Sequence, residues 1–334
     1  MYRPGSWVRV KSHAEILNTL DAEGCLDGLP FMPEMLDFCG KTFRVFKSAH
    51  KTCDTATRTG GRWMKHAVHL EDLRCDGSAH GGCQADCLLF WKYDWIEPAD
   101  TTNATQITGI MPSNTGNLTT LKYVKDDKPQ YICQATQLPY FTKAARWWDP
   151  RQYWKDLISG NVRVGEFLTR SSLHALELLI QKGYAYNLLI TLYNRIQILR
   201  GDTPFPYGEG GIESGAQTPS ESLNLLPGER VRVKDIEDIR KTLDSRSRNR
   251  GMWFDPEMVP FCGGTYTVRK RISKIIDESS GNMIEMKTPC IMLEGVVCTS
   301  RYSRCRMFCP RAIPSYWREI WLERDTVDPK IIKQ

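Results

Sequence analysis

The 334-residue sequence predicts an α+β protein: two tandem small β modules, each followed by a cysteine-rich segment suited to metal binding, separated by an α-helical insert. Three observations carry that expectation. The chain matches itself at one constant shift, its cysteines recur with their spacing in both copies, and a leucine-rich block of helical period lies between them.

The self-match begins where Pro4-Gly5 falls on Pro227-Gly228, a shift of 223 positions, and Val8-Arg9-Val10-Lys11 falls on Val231-Arg232-Val233-Lys234. It runs on through Thr19-Leu20-Asp21, Phe31, Pro33-Glu34-Met35 and Phe38-Cys39-Gly40, matched by Thr242-Leu243-Asp244, Phe254, Pro256-Glu257-Met258 and Phe261-Cys262-Gly263. Downstream, Cys75 matches Cys298. With one residue deleted, Cys83 and Cys87 match Cys305 and Cys309, and after a four-residue insertion Trp91 and Trp95 match Trp317 and Trp321.

Within each copy the local pattern sets the elements. Val8 and Val10 alternate with Arg9 and Lys11, the mark of a half-buried strand. Ser12-x-x-Glu15 is a capping box that opens a short helix, and Gly24, Gly28 and Pro30 break the chain before Phe31. Cys39-Gly40 precedes a second alternating strand over Thr42 to Val45. Pro-Gly, a Val-x-Val strand, a long excursion and a Gly-led strand together resemble the opening of SH3-like small barrels. That resemblance implies a small SH3-like β-barrel in each copy.

Asp149-Pro150 places an N-cap and a first-turn proline at the start of a helix that ends at Gly160, and further helix follows from about Val164 to Arg200 with a break at Gly183. The Thr/Asn/Ser-rich stretch 99–120 and the Gly/Pro/Ser-rich stretch 201–226 are expected to be loops. The resulting division is 1–98 first β module, 99–148 connecting segment, 149–200 helical insert, 201–225 linker, 226–325 second β module and 326–334 tail.

Composition bounds the function. With 41% hydrophobic and 25% charged residues the chain is globular, and its net charge of +6 lies wholly beyond Leu226, where 21 Lys and Arg face 15 Asp and Glu. No apolar run reaches the roughly 18 residues of a membrane span. The N-terminus lacks the apolar core of a signal peptide, so a cytoplasmic location is expected and the Asn103 and Asn117 glycosylation patterns are accidental. In that compartment twelve cysteines are ligands, nucleophiles or core residues and not a disulfide framework.

The second copy offers Cys290, Cys298, Cys305 and Cys309 as a four-thiolate site. Thiolate suits zinc and iron–sulfur clusters alike; the absence of Cys-x2-Cys pairs and the Pro310 after Cys309 fit a cluster, so both cofactors stay open. The first copy offers Cys75, His80, Cys83 and Cys87 among Gly77, Gly81 and Gly82, with Cys53, His66 and His69 as further candidates. The first site is expected to have mixed nitrogen and sulfur ligands or an open coordination position, and any chemistry is therefore expected in this copy. Cys25, Cys39 and Cys262 are read as structural, and Cys133 as core with a completing ligand as the alternative.

The arginines around the second cysteine set (Arg301, Arg304, Arg306 and Arg311) are read as a solvated face paired to Glu319, Glu323 and Asp325. The Trp-x3-Trp pairs are read as helical lids over the metal sites, and Trp147, Trp148 and Trp154 as core. Nucleotide-binding glycine loops, zincin, hydrolase and deaminase signatures are absent. The sequence therefore supports a duplicated metalloprotein. Its leading reading is a metalloenzyme acting on an unidentified small molecule or protein, ahead of a structural or metal-delivery scaffold; a nucleic-acid-binding module ranks third.

Overall fold

Alternation places Val8 and Val10 of strand β1 (Trp7–Val10) fully in the core while Trp7 and Arg9 face outward. Ser12 and Glu15 close the reciprocal capping box expected of them, opening helix α1 (His13–Leu17). Strands β2 (Cys25–Leu26) and β3 (Leu29–Pro30) form a tight hairpin through Asp27 and Gly28, both at positive φ, as a two-residue primed turn requires. A 3-10 turn over Pro33–Phe38 follows.

A computed structural model describes residues 1–99, 118, 121–124, 128–181, 186–199, 204, 210–302 and 306–325. The chain forms two compact units. The first comprises Met1–Leu168, Lys274–Glu285 and Arg304–Ile313; the second comprises Thr169–Ser273, Met286–Ser303 and Pro314–Gln334.

In the first unit, β4 (Thr42–Ser48), β5 (Lys51–Asp54), β6 (Gly60–Trp63), β7 (Ala67–Leu70), β8 (Trp91–Lys92) and β9 (Ile96–Pro98) continue the chain. They are followed by β10 (Leu121–Val124), β11 (Lys128–Tyr131), α2 (Leu138–Phe141), β12 (Lys143–Ala145) and α3 (Pro150–Ser159). One sheet has the order β8-β7-β4-β1-β9, a second has β12-β6-β5, and β10-β11 and β2-β3 are separate ribbons. Helix α3 is capped by Asp149, whose side chain accepts from Arg151 N, and ends at Gly160 in the left-handed conformation, as the sequence indicates.

Helices α4 (Val164–Gln181) and α5 (Tyr186–Leu199) pack Leu173 against Tyr193, with Gly183 outside the described residues. The second unit then carries β13 (Arg230–Val233), α6 (Ile236–Arg240), β14 (Arg248–Asn249) and β15 (Met252–Trp253). Strands β16 (Thr265–Ile276), β17 (Met283–Val297), β18 (Pro314–Trp317) and β19 (Leu322–Arg324) complete a sheet of order β18-β17-β16-β13-β19. The tip of its β16–β17 hairpin, Lys274–Glu285, belongs to the first unit. No helix among the described residues is long and apolar enough to cross a membrane.

The expectation of two closed SH3-like barrels is corrected here. Among the described residues the strands form several small antiparallel sheets with few helices, and no closed barrel. In each five-stranded sheet the two last strands, β8 and β9 or β18 and β19, lie at opposite edges and do not pair with each other. Strand β8 is two residues long and too short to supply a closing ladder, and the excursion between β4 and β7 builds the separate β5–β6 pair. The opening pattern that resembles a small barrel sets the first strands and leaves closure undetermined.

Two further expectations change. Each Trp-x3-Trp pair spans a strand and a 3-10 turn, not a helix, and all four rings are fully buried. Trp91 and Trp95 pack on Phe31, and Trp317 and Trp321 on Phe254, with ring centroids 5.2 to 6.3 Å apart; they are core, not lids over a metal. Trp147, Trp148 and Trp154 are exposed and not core.

Candidate metal centre

The chain from Leu73 to Leu89 leaves and rejoins the first sheet through two closely tied legs: Cys75 N donates to Cys87 O at 2.8 Å, and Leu89 N donates to Leu73 O at 3.0 Å. Between them the loop doubles back at Gly77, whose carbonyl accepts from His80 N at 3.0 Å and Gly82 N at 2.9 Å. Gly77 sits at φ +75°, and a β-carbon there would stand 1.9 Å from the carbonyl oxygen of Cys83. Only glycine permits this approach, which gathers Cys75, His80 and Cys83 into one turn.

The 3-10 turn supplies the remaining group. Glu34 Oε1 accepts a hydrogen bond from Cys75 Sγ at 2.9 Å and lies 3.1 Å from His80 Nε2. Among the described residues this is the one group of three His, Cys, Asp or Glu whose ligand atoms all lie within 4.8 Å of one another. Glu34 and His80 are buried, and Glu34 Oε2 and His80 Nδ1 have no hydrogen-bond partner among the described residues. A buried polar atom without a partner is costly, so the group is suited to a cationic ligand.

Electrostatics at the triad favour one proton distribution. Burial pushes the Glu34 carboxyl up, but the His80 and Cys75 hydrogen bonds and the imidazole's charge outweigh it and hold Glu34 below its ordinary value. Burial, reinforced by the adjacent Glu34 charge, raises the Cys75 thiol strongly. In this state the thiol donates to a carboxylate. A metal would replace that proton, since thiolate and carboxylate together balance a divalent charge and imidazole binds neutral.

A cavity of about 30 Å³ adjoins the triad, lined among others by Cys75, His80, Cys83, Cys87, Cys133 and Arg311. It has the room of an ion or a water. Cys83 Sγ accepts from Ile276 N at 3.4 Å, while burial raises Cys87 and pushes Cys133 up to about 11. Arg311 is fully buried; it donates to Thr55 Oγ1 and, at 3.1 Å, to Glu278 Oε1, and is not part of a solvated face. Glu319, Glu323 and Asp325 hold Arg271, Arg232 and Arg230.

The predicted site residues thus fall into several groups. Cys75 and His80 meet, and Cys83 and Cys87 line the same cavity. His69 is fully buried with Nδ1 2.8 Å from Leu89 O and its ring against Phe90, and burial holds it down to about 3; His66 is exposed beside Tyr93. Cys53 contacts Cys309 within the first unit. In the second unit Cys290 Sγ meets the sulfurs of Met252 and Met286 and the guanidinium of Arg318, and Cys298 lies 3.7 Å from Ser300 Oγ. Cys305, Arg304, Asn103, Asn117 and the tail lie outside the described residues. The eleven described cysteines are thiols, none in a disulfide.

Glu34 is the ligand candidate that sequence reasoning passed over. Its signal was present: a glutamate inside an otherwise apolar Pro-Glu-Met run, kept at the matching position as Glu257. Glu257 is buried too, but it accepts from Thr299 Oγ1 at 3.0 Å, Arg301 N at 3.1 Å and Tyr302 N at 2.6 Å, clamping the loop after Cys298. Where the second copy offers backbone donors, the first offers Cys75 and His80. No protein-family model matches the chain, and no curated protein resembles it at a significant level.

Proposed function

We propose that the first module is a metal-binding site in which Glu34, Cys75 and His80 hold one divalent ion, zinc being the ion their mixed oxygen, sulfur and nitrogen donors suit best. The observation that carries this reading is the convergence of three ligand atoms within 4.8 Å, two of them on buried residues, Glu34 and His80, that each also carry a polar atom without a hydrogen-bond partner among the described residues. Three protein donors leave a fourth position for water or substrate, and an ion so held supplies Lewis-acid chemistry. The chain's part is to orient the donors through the Gly77 turn, to keep Glu34 ionised and to wall the site with the apolar side chains of Met32 and Phe90.

A second reading rests on a separate observation: four thiols, Cys75, Cys83, Cys87 and Cys133, line the one cavity. Four thiolates are the donor set of an iron–sulfur cluster in place of a single ion, and a cluster would require this cavity of about 30 Å³ to widen. Metal content by mass spectrometry on anaerobically purified protein, with Glu34→Gln and Cys133→Ser beside the wild type, separates the readings. The single-ion reading expects about one zinc per chain, lost in Glu34→Gln and retained in Cys133→Ser. Iron with labile sulfide, lost in Cys133→Ser and kept in Glu34→Gln, supports the cluster. Metal-free wild type would refute both.

A further inference from the structure

Strand β5 is the outer strand of its sheet, and residues 51 to 55 run beside the segment Met307–Arg311 in two-residue steps. Lys51 Nζ donates to Met307 O at 2.9 Å, Cys53 N donates to Cys309 Sγ at 3.1 Å, and Arg311 donates to Thr55 Oγ1. The middle rung places two cysteines side by side, 256 positions apart in sequence and both in the first unit. Cys53 and Cys309 are 4% and 7% exposed, so their contact is a packed one and not a chance approach of surface loops.

The two sulfurs are not equivalent. Cys309 receives the backbone N–H of Cys53, a fixed donor that stabilises negative charge on the acceptor. The hydrogen bond to Cys309, with burial second, raises the Cys53 thiol well above its ordinary value and keeps it protonated. Lys51 adds positive potential at Cys309, whereas Arg311 acts on both sulfurs; each cation also has a carboxylate partner, Asp156 and Glu278. The fixed N–H donor is therefore what distinguishes Cys309 from Cys53.

We propose that Cys53 and Cys309 form a thiol–disulfide site, with Cys309 as the attacking thiolate and Cys53 as the resolving thiol. The co-reactant is a low-molecular-weight disulfide of the glutathione class. Cys309 Sγ attacks one of its sulfurs, the S–S bond breaks, and one small thiolate leaves. Cys53 gives its proton to that thiolate and, as a thiolate, attacks Cys309 Sγ; the second small thiolate leaves and takes a proton from solvent, and the protein disulfide closes. Two protein thiols are oxidised and one small disulfide is reduced to two thiols. Neither cysteine belongs to the ligand set proposed above, so this inference stands apart from the metal reading.

The test uses the full chain as purified, incubated with glutathione disulfide, alkylated and mapped as peptides without reduction. The expected product is a peptide pair linked through Cys53 and Cys309, released by dithiothreitol. Cys53→Ser should stop at a stable glutathione adduct on Cys309, whereas Cys309→Ser should leave Cys53 unmodified. Pairing of either residue with another cysteine, an adduct on Cys53 in Cys309→Ser, or full alkylation of both thiols in the treated wild type would overturn it. The wild-type map gives this answer whether or not the variants fold.

Discussion

Replacing Gly77 with alanine separates a metal site built by loop geometry from residues that merely lie close together. A β-carbon at Gly77 would stand 1.9 Å from the Cys83 carbonyl oxygen, where contacts below 3.0 Å are essentially never found, so the loop must open by more than an ångström. The obstacle is backbone and cannot rotate away. Its displacement strains the bonds from His80 N and Gly82 N to the Gly77 carbonyl and moves His80 relative to Glu34. Metal–ligand distances tolerate only about 0.2 Å, so we expect affinity to fall by about 100-fold, the upper range for losing a supporting contact.

The left-handed backbone alone costs an alanine about 1–2 kcal/mol, and Gly40→Ala isolates that part. Gly40 has the same φ of +75° with nothing within 4 Å of an added β-carbon. Competition with a chromophoric zinc chelator, alongside urea unfolding, reads both effects. Both variants should lose similar backbone stability, and only Gly77→Ala should lose metal. Wild-type affinity in Gly77→Ala, or equal loss in both variants, would refute the reasoning.

Three other outcomes follow from buried charge. Asp156 is fully buried against Lys51 and 3.2 Å from His50, so Asp156→Ala strands a lysine and should cost about 3–5 kcal/mol in urea unfolding. The paired change Lys51→Met with Asp156→Leu should recover most of it. Glu257→Gln weakens three hydrogen bonds and should cost about 1–3 kcal/mol, leaving metal content unchanged. For His69, burial holds the folded value at about 3 against about 6.5 unfolded, so its contribution is full above 6.5 and is lost as pH falls toward 3. Its imidazole signals by NMR should stay those of a neutral ring at pH 5; titration near 6.5 would count against this burial.

What the sequence reveals depends on how local the determinant is. The Ser12 capping box and the Asp149-Pro150 helix start are written in four or fewer adjacent residues, and both form. Barrel closure depends on whether distant short strands meet, and pattern matching on the first forty residues does not reach it. At the site, Cys75, His80 and the glycines between Cys75 and Cys83 stood out by type and spacing. Glu34 did not, because a carboxylate 41 positions away joins them only through the 3-10 turn. Arg311 and the Cys53–Cys309 contact were hidden for the same reason, since they depend on a partner 256 positions distant.

X-ray absorption at the K-edge of the bound metal, on wild type and Cys75→Ser, tests the central claim most directly. A first shell of one sulfur with nitrogen and oxygen donors is expected in the wild type, with the sulfur scatterer lost in Cys75→Ser. A shell without sulfur, or one unchanged by Cys75→Ser, would place the metal elsewhere and contradict the account.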